Sequence, residues 1–288
     1  MITKLKIGGV PEHFNLPWHL CIEEGDFANN QLEVEWIDYH GGTGEMSEAL
    51  KTGQVDIAVM LTEGSIKEIC DGSAFKIIQT FVESPLMWGI HVHADSDFHN
   101  IDDLKHKTAA ISRYGSGSHL MTYVHSDNQN WNTEELDFKT TQNLSGAQKS
   151  LAEGTSDYFL WEHFTTKPLV DKGIFRRLGD QPTPWPCFVI VSTEAFLKKH
   201  SSLLPSILTP LNNKSSHLKS TQAIEQNIAN RYKLKIEDVK DWLKITEWSQ
   251  QQIPKSDVNS TQQKLIDLKL VKQEKKYTDF IFDFNATF

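Results

Sequence analysis

Short apolar runs alternate with segments of helical periodicity through residues 4–193 of this chain of 288 residues. The runs "KLKIGGV" (4–10), "VDIAVML" (55–61) and "FKIIQTFV" (75–82) have the length and composition of buried strands. Between them, "GEMSEALKTG" (44–53) is typical of a short helix that ends at a glycine. Strands that alternate with helices usually form parallel sheets covered by those helices. The pattern therefore predicts an α/β fold with a mainly parallel sheet.

A distant pair of segments indicates that this pattern occurs twice. The segments "LKTGQVDIAVM" (50–60) and "LAEGTSDYFLW" (151–161) share Leu-x-x-Gly-x-x-Asp at an offset of 101 residues, from 50 to 151. In both, a helix stopped by glycine leads through a tight turn into a buried strand. A solenoid would repeat every ~20–50 residues, so the echo predicts two similar α/β lobes. After Glu194 the pattern is helical, and the aromatic "YTDFIFDF" (277–284) is expected to pack against the body.

Composition argues against several classes of protein. The formal net charge of −9 is unlike that of a general nucleic-acid binder, which needs a concentrated basic surface. Cys21, Cys70 and Cys187 are isolated in the sequence, which predicts buried thiols rather than a disulfide framework or a zinc site. No apolar stretch reaches the ~18 residues of a membrane span, so no membrane insertion is expected. The start "MITKLKIGGV" lacks the apolar core of a secretion signal, and a cytoplasmic location is expected unless a leader was removed.

The segment "SRYGSGSHL" (112–120) is a glycine- and serine-rich turn between an apolar run and an amphipathic one. It lacks the Gly-Lys-Ser/Thr of a phosphate-binding loop, the third glycine of a dinucleotide fingerprint and the Gly-x-Ser-x-Gly of a nucleophile elbow. We interpret "GGTGE" (41–45) as the matching turn of the first lobe. For both turns two roles stay open: capping their own helix, or binding an anion or a polar oxygen.

Aromatic and polar side chains follow two other predicted strands. They lie in "EHFNLPW" (12–18) and in "LWEHF" (160–164). Ligands of open α/β sheets bind at the carboxyl ends of strands, where such side chains suit a pocket wall. Trp18 lies on an apolar helix face, and a tryptophan in that position more often belongs to the core. His91 and His93 share a strand face, but no third ligand accompanies them, so no metal site is expected.

In the order and spacing of these motifs, the chain resembles the type II periplasmic-binding-protein-like family. It is most similar to the branch of aliphatic-sulfonate, taurine and thiamine-pyrimidine binding proteins. The likeness runs from about residue 4 to residue 200 and includes "DSDFHNIDDLKHKTAAISRYGSGSHL" (95–120) as the entry to the second lobe. The chain also resembles cytosolic fungal proteins of this fold that have no secretion signal.

The resemblance implies a two-lobed α/β fold of type II with a helical C-terminal segment. Lobe I would comprise residues 1–86 and 186–288, and lobe II residues 87–185. Two crossing strands, near Ser84–Gly89 and Pro184–Phe188, would form the hinge.

The resemblance also implies a ligand clamped between the lobes. By position, the residues that would line this cleft are Glu12, His13, Asn15, Trp18, Gly41, Gly42, Thr43, Gly44, Glu45, Thr62, Glu63, Trp88, Ser112, Arg113, Gly115, Ser116, Gly117, Ser118, Trp161, Glu162 and Trp185.

The expected function is that of a non-enzymatic, monomeric binding protein without cofactor, which closes its lobes around a small polar or anionic ligand. The carboxylates in the expected cleft could select a cationic or amino-bearing molecule instead, so the charge of the ligand stays open. One alternative is an enzyme of the thiamine-pyrimidine type, but that group carries a cysteine-rich segment that this chain lacks. The other is a truncated solute receptor of an ABC transporter. It would be periplasmic and would partner a permease only if a signal peptide had been removed.

Overall fold

Ten strands form two separate five-stranded sheets in the computed structural model, which describes residues 2–283. The strands are β1 (Thr3–Gly9), β2 (Leu32–Asp38), β3 (Ile57–Leu61), β4 (Phe75–Val82), β5 (Met87–His93), β6 (Thr108–Ile111), β7 (Asp137–Thr140), β8 (Tyr158–Glu162), β9 (Phe175–Pro182) and β10 (Phe188–Thr193). The sheet of lobe I has the order β2-β1-β3-β10-β4, and the sheet of lobe II has the order β7-β6-β8-β5-β9. The chain crosses between the sheets twice, at residues 83–86 and 183–187.

Both sheets are mixed, whereas the sequence pattern predicted a mainly parallel sheet. In lobe I, β1 pairs in parallel with β2 and β3, but β10 is antiparallel to β3 and β4. In lobe II, β6 pairs in parallel with β7 and β8, but β5 is antiparallel to β8 and β9. The antiparallel strands are the two that follow a crossing. They enter the sheet without the helical crossover that parallel neighbours require, and periodicity alone does not show this.

Helices cover the sheets and continue to the end of the described chain. They are α1 (Leu16–Glu23), α2 (Thr43–Thr52), α3 (Thr62–Cys70), α4 (Gly117–Asn128), α5 (Leu144–Ala152), α6 (His163–Asp171), α7 (Glu194–His200), α8 (Leu204–His217), α9 (Ile224–Tyr232), α10 (Ile236–Ile245), α11 (Lys255–Asp267) and α12 (Tyr277–Phe280). Phe280 is fully buried and Ile281 pairs with Ile77, so the aromatic segment docks as expected. Its last residue, Phe284, lies outside the described residues. Within residues 2–283, no helix is both long and apolar enough to cross a bilayer.

The sequence echo corresponds to the same local structure in each lobe. Gly53 and Gly154 follow α2 and α5 in the left-handed conformation, at φ 71° and 65°. Asp56 then accepts the Lys6 N–H at 2.8 Å, and Asp157 accepts the Thr108 N–H at the same distance. Each aspartate thereby ties the start of its own strand, β3 or β8, to the neighbouring parallel strand, β1 or β6. The offset of 101 residues therefore relates the two lobes element by element.

The offset between the lobes shows that the glycine-rich turn at 41–45 and the serine-rich turn at 112–120 are not equivalent. With the same offset, the counterpart of 41–45 is 142–146, the start of α5, and not the serine-rich turn at 112–120. That turn follows β6, so its counterpart in lobe I is the segment after β1. The pairing of "GGTGE" with "SRYGSGSHL" as equivalent elements is therefore wrong, although residues of both turns line the same cavity between the lobes.

Candidate functional site

A cavity of about 360 Å³ lies between the two sheets, in the size range of small-molecule sites. It is lined by Val10, Pro11, Glu12, His40, Gly41, Gly42, Thr43, Leu61, Leu86, Trp88, Ser112, Ser116, Gly117, Ser118, Asn143, Leu144, Ser145, Trp161, Glu162, Thr165 and Phe188. Most of these residues follow the carboxyl ends of strands or begin the next helix. Because the strand ends of both lobes point to the same gap, either lobe alone provides only part of the wall.

The structure divides the expected cleft residues into two groups. Those that line the cavity are Glu12, Gly41, Gly42, Thr43, Trp88, Ser112, Ser116, Gly117, Ser118, Trp161 and Glu162. Those that do not line it are His13, Asn15, Trp18, Gly44, Glu45, Thr62, Glu63, Arg113, Gly115 and Trp185.

Several residues of the second group support the wall from behind. Trp18 is fully buried against Phe27 and Phe81, as the core interpretation of this residue would have it. The side-chain amide of Asn15 donates to the Val10 carbonyl at 2.8 Å and holds the end of β1. The Glu45 carboxylate accepts the Gly41 N–H at 2.8 Å and fixes the turn before α2.

The hinge contains a buried polar contact that the sequence did not reveal. Trp185, in the second crossing, donates its Nε1–H to a carboxylate oxygen of Glu63 at 2.7 Å. The other oxygen of Glu63 is buried without a partner. Burial raises the pKa of this carboxyl to about 7, against the smaller opposing effect of its hydrogen bonds.

The hydroxyls of the serine-rich turn bond mainly within the turn. Ser118 Oγ accepts the Ser112 N–H at 3.0 Å, and Ser116 Oγ accepts the His119 N–H at 3.4 Å as the cap of α4. The two hydroxyls are 3.1 Å apart. The capping interpretation therefore accounts for these bonds, while the same residues still form part of the cavity wall.

Gly117 packs this turn tightly against the opposite lobe. A Cβ atom built there would lie 2.5 Å from Leu61 Cδ1 and 2.8 Å from the ring carbon Cη2 of Trp88. Real Cβ contacts do not reach such distances. The absence of a side chain thus allows the start of α4 to approach the end of β3.

Arg113 joins the lobes at the rim of the cavity. From lobe II its guanidinium donates to the carbonyl of Gly41 in lobe I. It also covers Gly44, where a Cβ would lie 2.5 Å from the Arg113 Nη2. This contact exists only when the lobes are together, so the structure shows a closed arrangement.

We expect Arg113→Ala to favour the open arrangement, because it removes a charge-assisted hydrogen bond between the lobes. Such bonds contribute about 1.5–3 kcal/mol, which corresponds to a loss of ligand affinity of roughly tenfold or more. Small-angle X-ray scattering should show a larger radius of gyration for the ligand-free variant than for the wild type. An unchanged radius and affinity would contradict this role for Arg113.

Arg176 provides a matched control. Its guanidinium also donates to backbone carbonyls, those of Ser96 at 3.0 Å and Phe98 at 2.8 Å, but all of these groups belong to lobe II. Arg176→Ala should therefore lower the melting temperature without changing the spacing of the lobes.

Ion pairs also join the C-terminal helices of lobe I to lobe II. On one side α11 and the residues after it contribute Lys264 to Asp127 and Lys269 to Glu134. On another side Lys235 contacts Asp171 at 2.8 Å. These pairs are largely exposed, and such pairs contribute little individually. Closure therefore depends mainly on the buried contacts at the cavity.

Two buried carboxyl groups face the cavity, one from each lobe. Glu12 follows β1 in lobe I, and Glu162 ends β8 in lobe II. Burial, and secondarily the nearby Glu162, raises the pKa of Glu12 to about 8. Burial likewise raises the pKa of Glu162, although its carboxylate accepts the Thr165 N–H at 2.6 Å. Within the described residues, the cavity wall contains no lysine or arginine.

The cavity also contains residues that sequence reasoning missed. Asn143, Leu144 and Ser145 lie at the start of α5 and form a wall opposite the turn at 41–43. The sequence echo could have found them, since 42 plus 101 is 143. Residues such as Leu86, Thr165 and Phe188 had no comparable signal. Among residues 2–283, no cluster of histidine, cysteine and acidic side chains is arranged to hold a metal ion.

Two sheets joined by two crossings, with a ligand-sized cavity between them, place this chain in the class of periplasmic-binding-protein folds. The expected α/β fold and the resemblance to the type II periplasmic-binding-protein-like family are confirmed.

Comparison with known proteins finds one family model that matches part of the chain and several solved structures of the same fold. Residues 88–181, most of lobe II, match the model of the family described as Ca3427-like PBP. The *Candida albicans* CA3427 gene product, described as defining a new family with the generic periplasmic-binding-protein fold, has a similar structure. It is 23% identical, with a TM-score of 0.87, over 95% of this chain and 92% of that chain. No curated protein matches this chain in sequence.

Bacterial receptors share the fold at lower identity. The alkanesulfonate-binding protein SsuA from *Xanthomonas axonopodis* pv. *citri*, solved with MOPS bound, is 16% identical with a TM-score of 0.79, over 94% of this chain and 95% of that chain. The nitrate-binding protein NrtA from *Synechocystis* PCC 6803 is 13% identical with a TM-score of 0.72, over 95% of this chain and 83% of that chain. At these identities the likeness establishes the fold.

Proposed function

We propose that this protein is a non-enzymatic small-molecule binding protein whose two lobes close around a polar ligand. The observation that carries the proposal is the cavity whose wall is divided between the lobes. A ligand in this cavity touches both lobes only when they are together, so its binding energy favours the closed arrangement. The names of the alkanesulfonate- and nitrate-binding relatives support a binding role of this kind.

The cavity wall indicates how closure would stabilise a bound ligand. Leu61, Trp88, Trp161 and Phe188 supply apolar surface, which leaves water when the lobes meet around a ligand. Backbone and side-chain polar groups at 41–43 and 143–145 supply hydrogen bonds from two helix starts. An anionic ligand would find no lysine or arginine in the wall that the described residues form, so we propose a polar ligand that is not an anion.

Solution scattering tests closure directly. Native mass spectrometry of the purified protein first identifies any small molecule that it retains. With that molecule bound, we expect the radius of gyration to be smaller than after its removal, because the lobes come together. A tight ligand that leaves the radius unchanged would contradict the proposal.

The enzymatic alternative finds less support in the cavity. Its wall, within residues 2–283, contains no lysine to bind pyridoxal phosphate covalently and no cysteine. The three thiols are buried elsewhere. Binding without chemistry is therefore the function that we propose, and the monomeric state, the cytoplasmic location and the absence of a permease partner remain predictions.

A further inference from the structure

We infer that the cavity selects a cationic ligand, a protonated amine attached to a flat apolar group, which Glu12 and Glu162 hold from opposite lobes. The inference rests on the proposed binding function and names the chemical class of its ligand.

The first observation is an unpaired buried carboxyl. Glu12 is 9% exposed and lines the cavity, yet its carboxyl group makes no hydrogen bond or ion pair within the described residues. A buried carboxyl without a partner is unfavourable unless a ligand supplies one. Among the described residues that line the cavity, Glu162, which is 3% exposed, supplies the second carboxyl, His40 is the other ionisable side chain, and no lysine or arginine is present. Glu12 and Glu162 thus require a positive charge at the same place.

The second observation is that the protein does not supply this charge from the cavity wall. Arg113, at the rim, lies outside the wall: one nitrogen donates to the Gly41 carbonyl, and its Nη2 is buried against Gly44 without a partner in the described chain. Arg177 lies behind Glu162, where it donates to the carbonyl of His163 at 2.8 Å. Arg177 partly compensates Glu162, and no comparable group compensates Glu12.

The third observation concerns hydrogen-bond acceptors for an ammonium group. Thr165 lines the cavity beside Glu162, and a hydrogen bond from its hydroxyl lowers the pKa of that carboxyl against the larger effect of burial. The carboxyl groups of Glu12 and Glu162 together offer four oxygen acceptors, two from each lobe. A primary ammonium group has three N–H donors and no acceptor, so it matches this set.

The apolar part of the wall fits the rest of such a ligand. Trp88 and Trp161 line the cavity together with Leu61, Leu86 and Phe188. Aromatic faces attract cations and stack on flat groups. An anion would face two carboxyl groups instead, and a neutral ligand would leave them unpaired.

Binding of a cation should release a proton, because the empty pair holds one at neutral pH. The titratable groups around Glu12 are Glu162 and His40 in the cavity wall, His13 next to it in the chain, Cys187 and Tyr232. Burial keeps His13 neutral, with a pKa of about 3, and raises the pKa of the Cys187 thiol and the Tyr232 hydroxyl. The carboxyl groups of Glu12 and Glu162 therefore dominate the change of affinity with pH. A cation favours their ionised form, so its affinity should rise with pH until Glu12 has lost its proton near pH 8.

A series of ligands that differ only in the charge of one group tests the inference. Tryptamine, tryptophol and indole-3-acetate form one series, and benzylamine, benzyl alcohol and benzoate form a smaller one. By isothermal titration calorimetry, we expect the ammonium member to bind at least about tenfold more tightly than the neutral member, and the carboxylate not to bind. Its affinity should rise between pH 6 and pH 8, with an enthalpy that depends on the buffer because a proton is released. Tighter binding of a neutral or anionic member, or no binding by either ammonium member, would overturn the inference.

Substitutions test whether Glu12 and Glu162 cause the preference for an ammonium ligand. Glu12→Gln and Glu162→Gln should each reduce the preference for the ammonium member to less than about threefold. Glu63→Gln is the matched control, because it removes a buried carboxyl that lies outside the cavity wall, and it should retain the preference. Equal losses in all three variants would also overturn the inference. Scattering separates the two proposals: compaction by a neutral or anionic ligand refutes the cationic class and leaves the binding function intact.

Discussion

Gly117→Asp is expected to abolish ligand binding while both lobes remain folded. Any side chain at this position would collide with Leu61 of the other lobe and with Trp88. The collision with Leu61 is relieved when the lobes separate, whereas Trp88 belongs to lobe II itself and its ring must shift in either state. The variant should therefore stay open and lose at least ~100-fold in affinity, about 2.7 kcal/mol. The added carboxylate would also stand in a wall that already contains Glu12 and Glu162. Calorimetry with the ligand identified by mass spectrometry measures the loss, and scattering measures the opening.

Gly173→Asp is the matched control for this substitution. Gly173 also belongs to lobe II, but nothing lies within 4 Å of a Cβ built there. Its φ of 68° disfavours most side chains, and aspartate tolerates this region better than most. The control should lose some stability and no affinity. If Gly117→Asp kept its affinity, the serine-rich turn would be a helix cap alone.

Raising the pH from 6.5 to 9 is expected to destabilise the ligand-free protein by about 3 kcal/mol. Burial raises the pKa of Glu12 to about 8 and that of Glu63 to about 7, from 4.5 in the unfolded chain. The folded state therefore binds protons that the unfolded state has released, and this stabilisation disappears as the pH rises through 7 and 8. Each carboxyl that is still protonated contributes roughly 1 kcal/mol per pH unit.

The buried histidines have the opposite effect on stability: they destabilise the fold as the pH falls, and they do so at acidic pH. Burial lowers the pKa of His13 and His91 to about 3, so they destabilise the fold as the pH falls below 6.5. Above pH 6.5 the carboxyl groups should dominate the slope.

Chemical denaturation at several pH values measures this dependence. Glu12→Gln and Glu63→Gln should each flatten the decline, because an amide has no proton to lose. Glu153→Gln, which changes an exposed carboxyl at the end of α5, should leave the slope as it is. A wild-type stability that is constant from pH 6.5 to pH 9 would contradict the buried state of both carboxyl groups.

Local sequence signals were sufficient to predict most of the strands and helices of the fold. Apolar runs marked the buried strands, and Gly53 and Gly154 marked the ends of α2 and α5, because each signal reflects a property of a few neighbouring residues. β9 was missed because "FRRLGDQP" is charged and contains a glycine. It pairs only with β5, at the edge of its sheet, where a strand needs no continuous apolar face.

The site depends on distances between residues far apart in the chain. Segment order was enough to expect the turns at 41–43 and 116–118 near a cleft, and Glu12 and Glu162 with them. It did not show that Trp18 faces the core or that Arg113 reaches Gly41. It also did not show that the two glutamates share one cavity whose wall, among the described residues, contains no lysine or arginine. These facts depend on how the lobes meet, and no local pattern records that.

The position of β10 has a consequence for the order in which the protein folds. Lobe II uses a continuous stretch of chain, from β5 to β9. In lobe I, β10 lies between β3 and β4, and Phe188 of β10 pairs with Leu61 of β3. The ribosome makes β10 only after all of lobe II. Contacts between such distant segments form slowly. During synthesis, lobe II should therefore fold first. The N-terminal strands of lobe I can complete their sheet only when β10, more than a hundred residues after β3, has been made.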